Sequence, residues 1–347
     1  MSHVNNFHLD YINALRADGH TVLVMASGEG ADFNIPFKKK ILARENGACR
    51  RMIREIFKRE KFDAVVLNTS LAAFHIRLAM PKKNRPTVLN LVHGYLFSHD
   101  TSFLKARAFL LCEKLLKSKT DSIIVMNKED EKIALQNKLC RGKVYFSHGM
   151  GVKQKPVSKD TAEKIKSEFG GDFNLAFVGE LSSRKNQRFL ISSLPRLSKK
   201  IKNIRLWLVG DGDERESLLA YAREIGVSEN VVFFGKRPNP CDFILASDLY
   251  ASASIIEGLP FNVVEAMSLC APLLISDIKG QTDLVESGVN GVLYPYGNMD
   301  AFCEGVISFY EGKISLDYKR VYETYEKYSF DSVFTETLSL IKESIGL

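Results

Sequence analysis

The sequence predicts an α/β protein built from two βα domains in tandem, and three observations carry that expectation. Segments that are almost wholly apolar, among them PTVLNLVHG, NLAFVGEL and RLWLVGDG, alternate with amphipathic helical stretches. That is the pattern of parallel sheets covered by helices on both faces. The alternation breaks at GVKQKPVSKD, residues 151–160, a polar stretch with the composition of a linker. The 347 residues are enough for two domains of ordinary size. Ligands of such sheets bind beyond the carboxyl ends of the strands, so the site is expected in a cleft between the domains.

The elements follow in order. LDYINALRADG reads as a helix stopped at Gly19, HTVLVMAS as a strand, RRMIREIFKRE as an amphipathic helix, and FDAVVLNT and PTVLNLVHG as strands. SFLKARAFLLCEKLLKS is helical and leads to the strand TDSIIVMN; EDEKIALQNKL is a helix and GKVYFSHGMGV a short strand with its exit. Beyond the linker come NLAFVGEL, RFLISSLPRL, RLWLVGDG, ERESLLAYAREIG, NVVFFGK and DLYASAS. PLLISD, a helix-like QTDLVES, GVNGVLYP and the helix MDAFCEGVISFYEG close the second set, and YSFDSVFTETLSLIKESI is a last helix.

Composition removes several classes. With 45% hydrophobic and 26% charged residues the chain is globular, not disordered. No apolar run approaches the roughly 18 residues of a membrane span. MSHVNNFHLD lacks the apolar core of a signal peptide, which argues against export and for a cytoplasmic protein. The six cysteines are scattered, without metal-ligand spacing, and read as thiols of a reducing compartment; no metal and no cofactor are expected.

The net charge of +7 is unevenly placed: residues 1–150 hold 25 Lys and Arg against 14 Asp and Glu, the remainder 23 against 27. Lys38-Lys39-Lys40, Arg50-Arg51 and the lysines from Lys114 to Lys119 carry the surplus. It reads as a solvated surface, or as a face toward an anionic membrane at its inner side or a lipid-linked pyrophosphate. Without interleaved aromatics or a reader motif, it does not read as a nucleic-acid site.

The most informative stretch is SIIEGLPFNVVEAMSLCAP, residues 254–272. A strand, a Gly-Leu-Pro loop and a helix start form an anion seat, with Gly258 permitting close backbone approach and Pro260 suited to the first helical position. Glu257 and Glu265 flank that seat. Carboxylates repel a diphosphate, but they accept hydrogen bonds from hydroxyls on either side of it, a sugar at one end and a ribose at the other. The ligand this describes is a nucleotide sugar. Arg184 and Lys185, after the strand NLAFVGEL, suit a diphosphate clamp. Asp211 and Asp213 have D-x-D spacing, but Asp213 reads as a helix cap before Glu214.

The string EGLPFNVVEAM after DLYASAS closely resembles the signature of the family-4 retaining glycosyltransferases of the GT-B fold, in the bacterial cell-surface polysaccharide type. The resemblance is strong over residues 174–300 and looser before them. It implies two Rossmann-like domains facing a cleft. Residues 1–150 would form the acceptor domain, completed by a C-terminal helix at 331–347 that crosses back to it, and 151–330 the donor domain. It implies transfer of a sugar from a nucleotide diphosphate, UDP being favoured, to a glycan or lipid-linked saccharide in capsule, exopolysaccharide or lipopolysaccharide synthesis. Glu257, Lys185 and His93 would be catalytic; Arg184, Lys185, Gly258, Leu259 and Pro260 would hold the diphosphate. Glu265 would hold the ribose, and Lys236, Arg237 and Pro238 would lie near the base.

The chain also departs from the family. Glu180 stands where many members have Arg, and Asn68 where the strand usually ends in histidine. The first strand and its glycine turn precede, in the family, the point where this chain begins. An upstream start, a substitute segment or a compromised first domain would each account for that. Two other readings stay open: an epimerase of nucleotide sugars with the same fold, and a catalytically silent nucleotide-binding subunit of a partner transferase.

Overall fold

The computed structural model describes residues 4–5, 8–38, 41, 43–95, 97 and 101–347. Lys39 and Lys40 of the first basic cluster, and Asn6 and Phe7, lie outside the described residues. The chain divides into two units, Met1–Gly151 with Phe330–Leu347, and Val152–Ser329.

In the first unit, α1 (Leu9–Ala17) is followed by β1 (Met25–Ala26), β2 (Phe33–Asn34), α2 (Asn46–Arg59), β3 (Ala64–Leu67), α3 (Ser70–Ala79), β4 (Thr87–Val92), α4 (Phe103–Leu116), β5 (Ser122–Val125), α5 (Lys128–Asn137) and β6 (Val144–Phe146). The last four strands form a parallel sheet in the order β3-β4-β5-β6, with β3 at its edge. β1 and β2 form a separate parallel ladder of two residue pairs. The strand expected over HTVLVMAS therefore shrinks to Met25–Ala26: its apolar residues suit a strand, but a ladder needs a partner of equal length.

β4 and β5 are buried almost throughout, as the apolar runs predict. Ile53, Leu67, Ala73 and Val88 pack one core cluster, and Val92, Ile123, Val125 and Ala134 another. The C-terminal helix Phe330–Ile345 belongs to this unit. Its Phe334 ring lies 4.8 Å from Tyr11, and Thr337 Oγ1 donates to Gly149 O at 3.1 Å. Between α3 and α4, the wholly buried Arg77 forks onto Glu113 at 2.8 and 2.9 Å and also reaches Thr120.

His75 on α3 is fully buried, with Arg50 Nη1 3.1 Å from Nδ1 and the Ile41 carbonyl 2.9 Å from Nε2. Arginine only donates and a carbonyl only accepts, so the ring is neutral with its proton on Nε2. Burial lowers its pKa, Arg50 adds to the effect, and the Ile41 carbonyl works against it. The unfolded chain then binds a proton more readily than the folded one, and stability falls as pH drops below about 6.5. Thermal unfolding between about pH 7.5 and pH 5.5 should show this loss, and His75→Gln, though less stable, should flatten the profile. A parallel decline in both proteins would refute the assignment.

The second unit runs α6 (Lys159–Phe169), β7 (Phe173–Val178), α7 (Gln187–Leu197), β8 (Ile204–Val209), α8 (Arg215–Glu224), β9 (Val231–Gly235), α9 (Cys241–Ala246), β10 (Leu249–Ser252), α10 (Phe261–Ser268), β11 (Leu273–Asp277), β12 (Val292–Pro295), α11 (Met299–Tyr310) and α12 (Tyr318–Tyr328). Its strands form a parallel sheet in the order β12-β11-β10-β7-β8-β9. The helix-like QTDLVES is a run of turns, because Gln281 turns its side chain inward onto Ser252 and Ser276. Leu175, Phe177, Leu206, Leu208, Leu190 and Leu194 fill the core with no exposed surface. Trp207 is equally buried, its indole N–H donating to Phe169 O at 3.2 Å.

Candidate functional site

From β7 the chain builds outward through β8 and β9, then returns to β10 on the other side and builds outward through β11 and β12. The sheet order thus reverses between β7 and β10. Loops leaving two such strands diverge and open a crevice at their carboxyl ends. The candidate site of the second unit lies there.

The loop after β7 carries Arg184 and Lys185, and the loop after β10 carries Glu257. Ile255 N donates to Arg184 O at 2.9 Å and ties the loops together. Glu257, its side chain 5% exposed, is held by both cations, with Arg184 Nη1 2.6 Å from Oε2 and Lys185 Nζ 2.7 Å from Oε1. The lysine contact is a close, buried ion pair. Burial alone would raise the Glu257 pKa; Lys185 and Arg184 outweigh it, and the carboxyl is held below its usual range. Burial lowers the pKa of Lys185, and the Glu257 charge works in the opposite direction.

Neighbouring side chains and backbone hold the triad in place. The Asn262 amide donates to Val178 O at 3.0 Å and to the Tyr250 hydroxyl at 2.8 Å, which turns its Oδ1 toward Lys185 Nζ at 3.4 Å. Ser276 donates to Ser254 O, and Gly280, at φ +82°, packs its backbone against the carbonyls of Glu257 and Gly258.

Beside the triad, Gly179, Glu180, Gly210, Asp211, Gly212, Asp213 and Lys236 line an open concavity of about 620 Å³. Its glycines bring two loops into backbone contact: a Cβ at Gly210, at φ +142°, would overlap the Gly179 carbonyl, and one at Gly212 the Leu181 carbonyl. The acids of this wall are acceptors for hydroxyl or amide donors. The positive charge that suits a phosphate lies on Arg184 and Lys185.

The predicted residues are distributed as follows. Glu257, Arg184 and Lys185 meet as one ion triad. Gly258 and the buried Leu259 continue the Glu257 loop. Pro260 caps α10 and does not begin it; the helix starts at Phe261, and the Pro260 carbonyl accepts from Val263 N at 2.9 Å. Glu265 lies on α10, with Lys155 Nζ 2.5 Å from its Oε1. Lys236 reaches the concavity, whereas Arg237 is exposed and turns toward the Phe234 ring; Pro238 is exposed beside it. Glu214, not Asp213, occupies the N-cap position of α8 and makes no side-chain cap bond there, and Asp211 accepts from Gly212 N at 2.9 Å. His93 follows β4 in the first unit, edge-on to His8 with ring centroids 5.3 Å apart.

Sequence reasoning missed Lys155, Asn262 and Tyr250. Lys155 sits in the stretch read only as linker, 110 residues from its partner. Asn262 lies inside EGLPFNVVEAM, and a polar residue at an apolar-flanked helix start was the signal available for it. Among the described residues no cluster of His, Cys, Asp and Glu fit for a metal occurs, and no helix is long and apolar enough to cross a membrane.

Residues 158–327 match the family described as Glycosyl transferases group 1. The chain is 29% identical over 322 residues to EpsD of Bacillus subtilis (strain 168), covering 89% of this chain and 84% of that one. It is 24% identical over 269 residues to an Escherichia coli UDP-Gal:alpha-D-GlcNAc-diphosphoundecaprenol alpha-1,3-galactosyltransferase, covering 75% and 69% of the two chains. Among solved structures, HepE of Anabaena in complex with UDP and glucose has a TM-score of 0.72 at 18% identity, covering 96% of this chain and 94% of that one. Most of the second unit, residues 158–327, is thus similar to the group 1 glycosyl transferases, and the chain has the two Rossmann-like domains of the GT-B type.

Proposed function

We propose that the chain is a retaining glycosyltransferase that moves a hexosyl group from a UDP-linked donor to a glycan or lipid-linked saccharide at the inner face of the membrane. The observation that carries this is the ion triad of buried Glu257 and Lys185 with the more exposed Arg184, at the point where the sheet order reverses. The relatives support it: one is named for UDP-galactose and a diphosphoundecaprenol-linked acceptor, and HepE was solved with UDP and glucose.

Arg184 and Lys185 would neutralise charge growing on the leaving diphosphate as the bond from the sugar C1 breaks, the class of electrostatic stabilisation that usually contributes most. Glu257 would accept from a donor-sugar hydroxyl and face the positive charge developing on the ring. The acceptor hydroxyl would attack C1 from the face the diphosphate leaves and pass its proton to a leaving phosphate oxygen, which retains the anomeric configuration. Glu265 would accept from the ribose hydroxyls, and Lys236, Arg237 and Pro238 would lie toward the base. His93, and the gripping of the diphosphate by Gly258, Leu259 and Pro260, belong to the same proposal.

The test has two stages. Thermal unfolding with UDP, GDP and ADP in parallel should show a rise with UDP, since a ligand at about 100 times its Kd adds roughly 2.7 kcal/mol. Incubation with UDP-hexoses and lipid-linked saccharides should then give an α-linked product from an α-linked donor, read by nuclear magnetic resonance. An inverted product refutes retention; epimerised donor without acceptor favours the epimerase. A UDP shift without turnover on any acceptor favours the silent binding subunit.

A further inference from the structure

α4 is apolar on two faces. Ala106, Phe109 and Leu110 pack toward the core of the first unit, as a covering helix should. Leu104, Leu111 and Leu115 do the reverse, at 81%, 57% and 71% exposure. With the exposed Ala108 they fall at i, i+4, i+7 and i+11, which places all four on one outward line. Burial in the unit explains the first face and leaves the second without a purpose in the fold.

The charges around this line have one sign. Lys105 flanks it on one side, and Arg107 and Lys114 on the other, all exposed. The helix has a single acid, Glu113, and Arg77 holds it inward at 2.8 Å. Just past the helix, burial lowers the pKa of Lys119, and the nearby charges of Lys82, Arg54 and Arg85 lower it further, so the surroundings are basic there too.

We infer that α4 is an interfacial helix that lays Leu104, Leu111 and Leu115 into an anionic bilayer surface. A leucine stripe flanked by Lys and Arg suits the boundary between acyl chains and headgroups, where the basic side chains extend outward to lipid phosphates. A second copy of the chain suits it poorly. A two-fold contact along the stripe would set Lys105, Arg107 and Lys114 against the same cations of the partner, with no acid between them. This inference is independent of the glycosyltransfer reading, because a vesicle without any saccharide tests it.

The experiment is sedimentation of the full chain with vesicles of phosphatidylcholine alone and of phosphatidylcholine with about one third phosphatidylglycerol. Binding is expected to the anionic vesicles, to fall about tenfold or more in Leu111→Glu/Leu115→Glu, and to weaken between about 50 and 500 mM salt. Both leucines are exposed, so the variant should unfold at the parent temperature. Lys105→Glu/Arg107→Glu/Lys114→Glu reverses the charges, keeps the stripe and should also lose binding. Equal sedimentation of parent and leucine variant, equal binding to neutral vesicles, or no binding of the parent would overturn the inference. So would a parental dimer that Leu111→Glu/Leu115→Glu converts to monomer while vesicles capture neither.

Discussion

Lys185→Ala is expected to lower kcat by about 10²- to 10³-fold, the usual cost of losing one preorganised group that faces transition-state charge. The expectation rests on the proposed transfer and on the place of the lysine: nearly buried, 2.7 Å from Glu257 Oε1 and turned by the Asn262 amide oxygen. Arg184 is more exposed and remains on Glu257 Oε2, so the carboxylate keeps one counter-charge and the loop should stay folded. Arginine can also grip the substrate diphosphate, so KM should change less than kcat. Unchanged turnover in Lys185→Ala would remove the lysine from the mechanism.

Glu257→Gln separates this from a merely structural triad. In the unliganded site the carboxylate neutralises both cations, and an incoming diphosphate must share them with it. Removing that charge should leave UDP binding equal or tighter while kcat falls, because the cations are freed for phosphate but the developing positive charge on the sugar loses its partner. Titration of UDP by calorimetry and steady-state rates give both numbers. UDP binding weakened tenfold or more would show that Glu257 holds the loop together and does not compete with the ligand.

How much of this was legible in the sequence follows from the range of each interaction. Strands such as NLAFV and RLWLV announced themselves because burial on both faces demands unbroken apolar runs, and each is a buried strand. Glu257 and Lys185 were legible because each stands where a strand ends in a glycine-containing loop. Their direct contact was not, since 72 residues separate them and chain pattern does not encode side-chain pairing. The same holds for Lys155 on Glu265 and for Asn262 under Lys185. HTVLVMAS shows the converse failure: local propensity for a strand was present, but the ladder it makes is two pairs long. The outward stripe of α4 was hidden because both faces of that helix are apolar, and only packing shows which one the core takes.

Arg77→Ala is expected to destabilise the first unit by about 3–5 kcal/mol, the cost of removing one partner from a buried ion pair. The guanidinium has no exposed surface and satisfies Glu113 through both oxygens, Thr120 Oγ1 and the Ala73 carbonyl. Its loss leaves a carboxylate of 15% exposure without a counter-charge. At about 2–4 °C per kcal/mol for a unit of this size, the corresponding transition should fall by roughly 6–20 °C. Calorimetry resolves it where the two units melt separately, and a shift under about 2 °C would refute the account. Arg77→Met/Glu113→Leu should recover most of the loss, since a well-packed apolar pair avoids the desolvation cost of both ions. That double variant also isolates what the pair does for α4. Arg77 holds the only acid of the helix on its inner face, and a helix apolar on both sides has little else to fix its rotation. If the ion pair sets that rotation, the double variant keeps its stability yet loses vesicle binding, as is expected of Leu111→Glu/Leu115→Glu. If packing by Phe109 and Leu110 suffices, binding survives and the pair contributes stability alone.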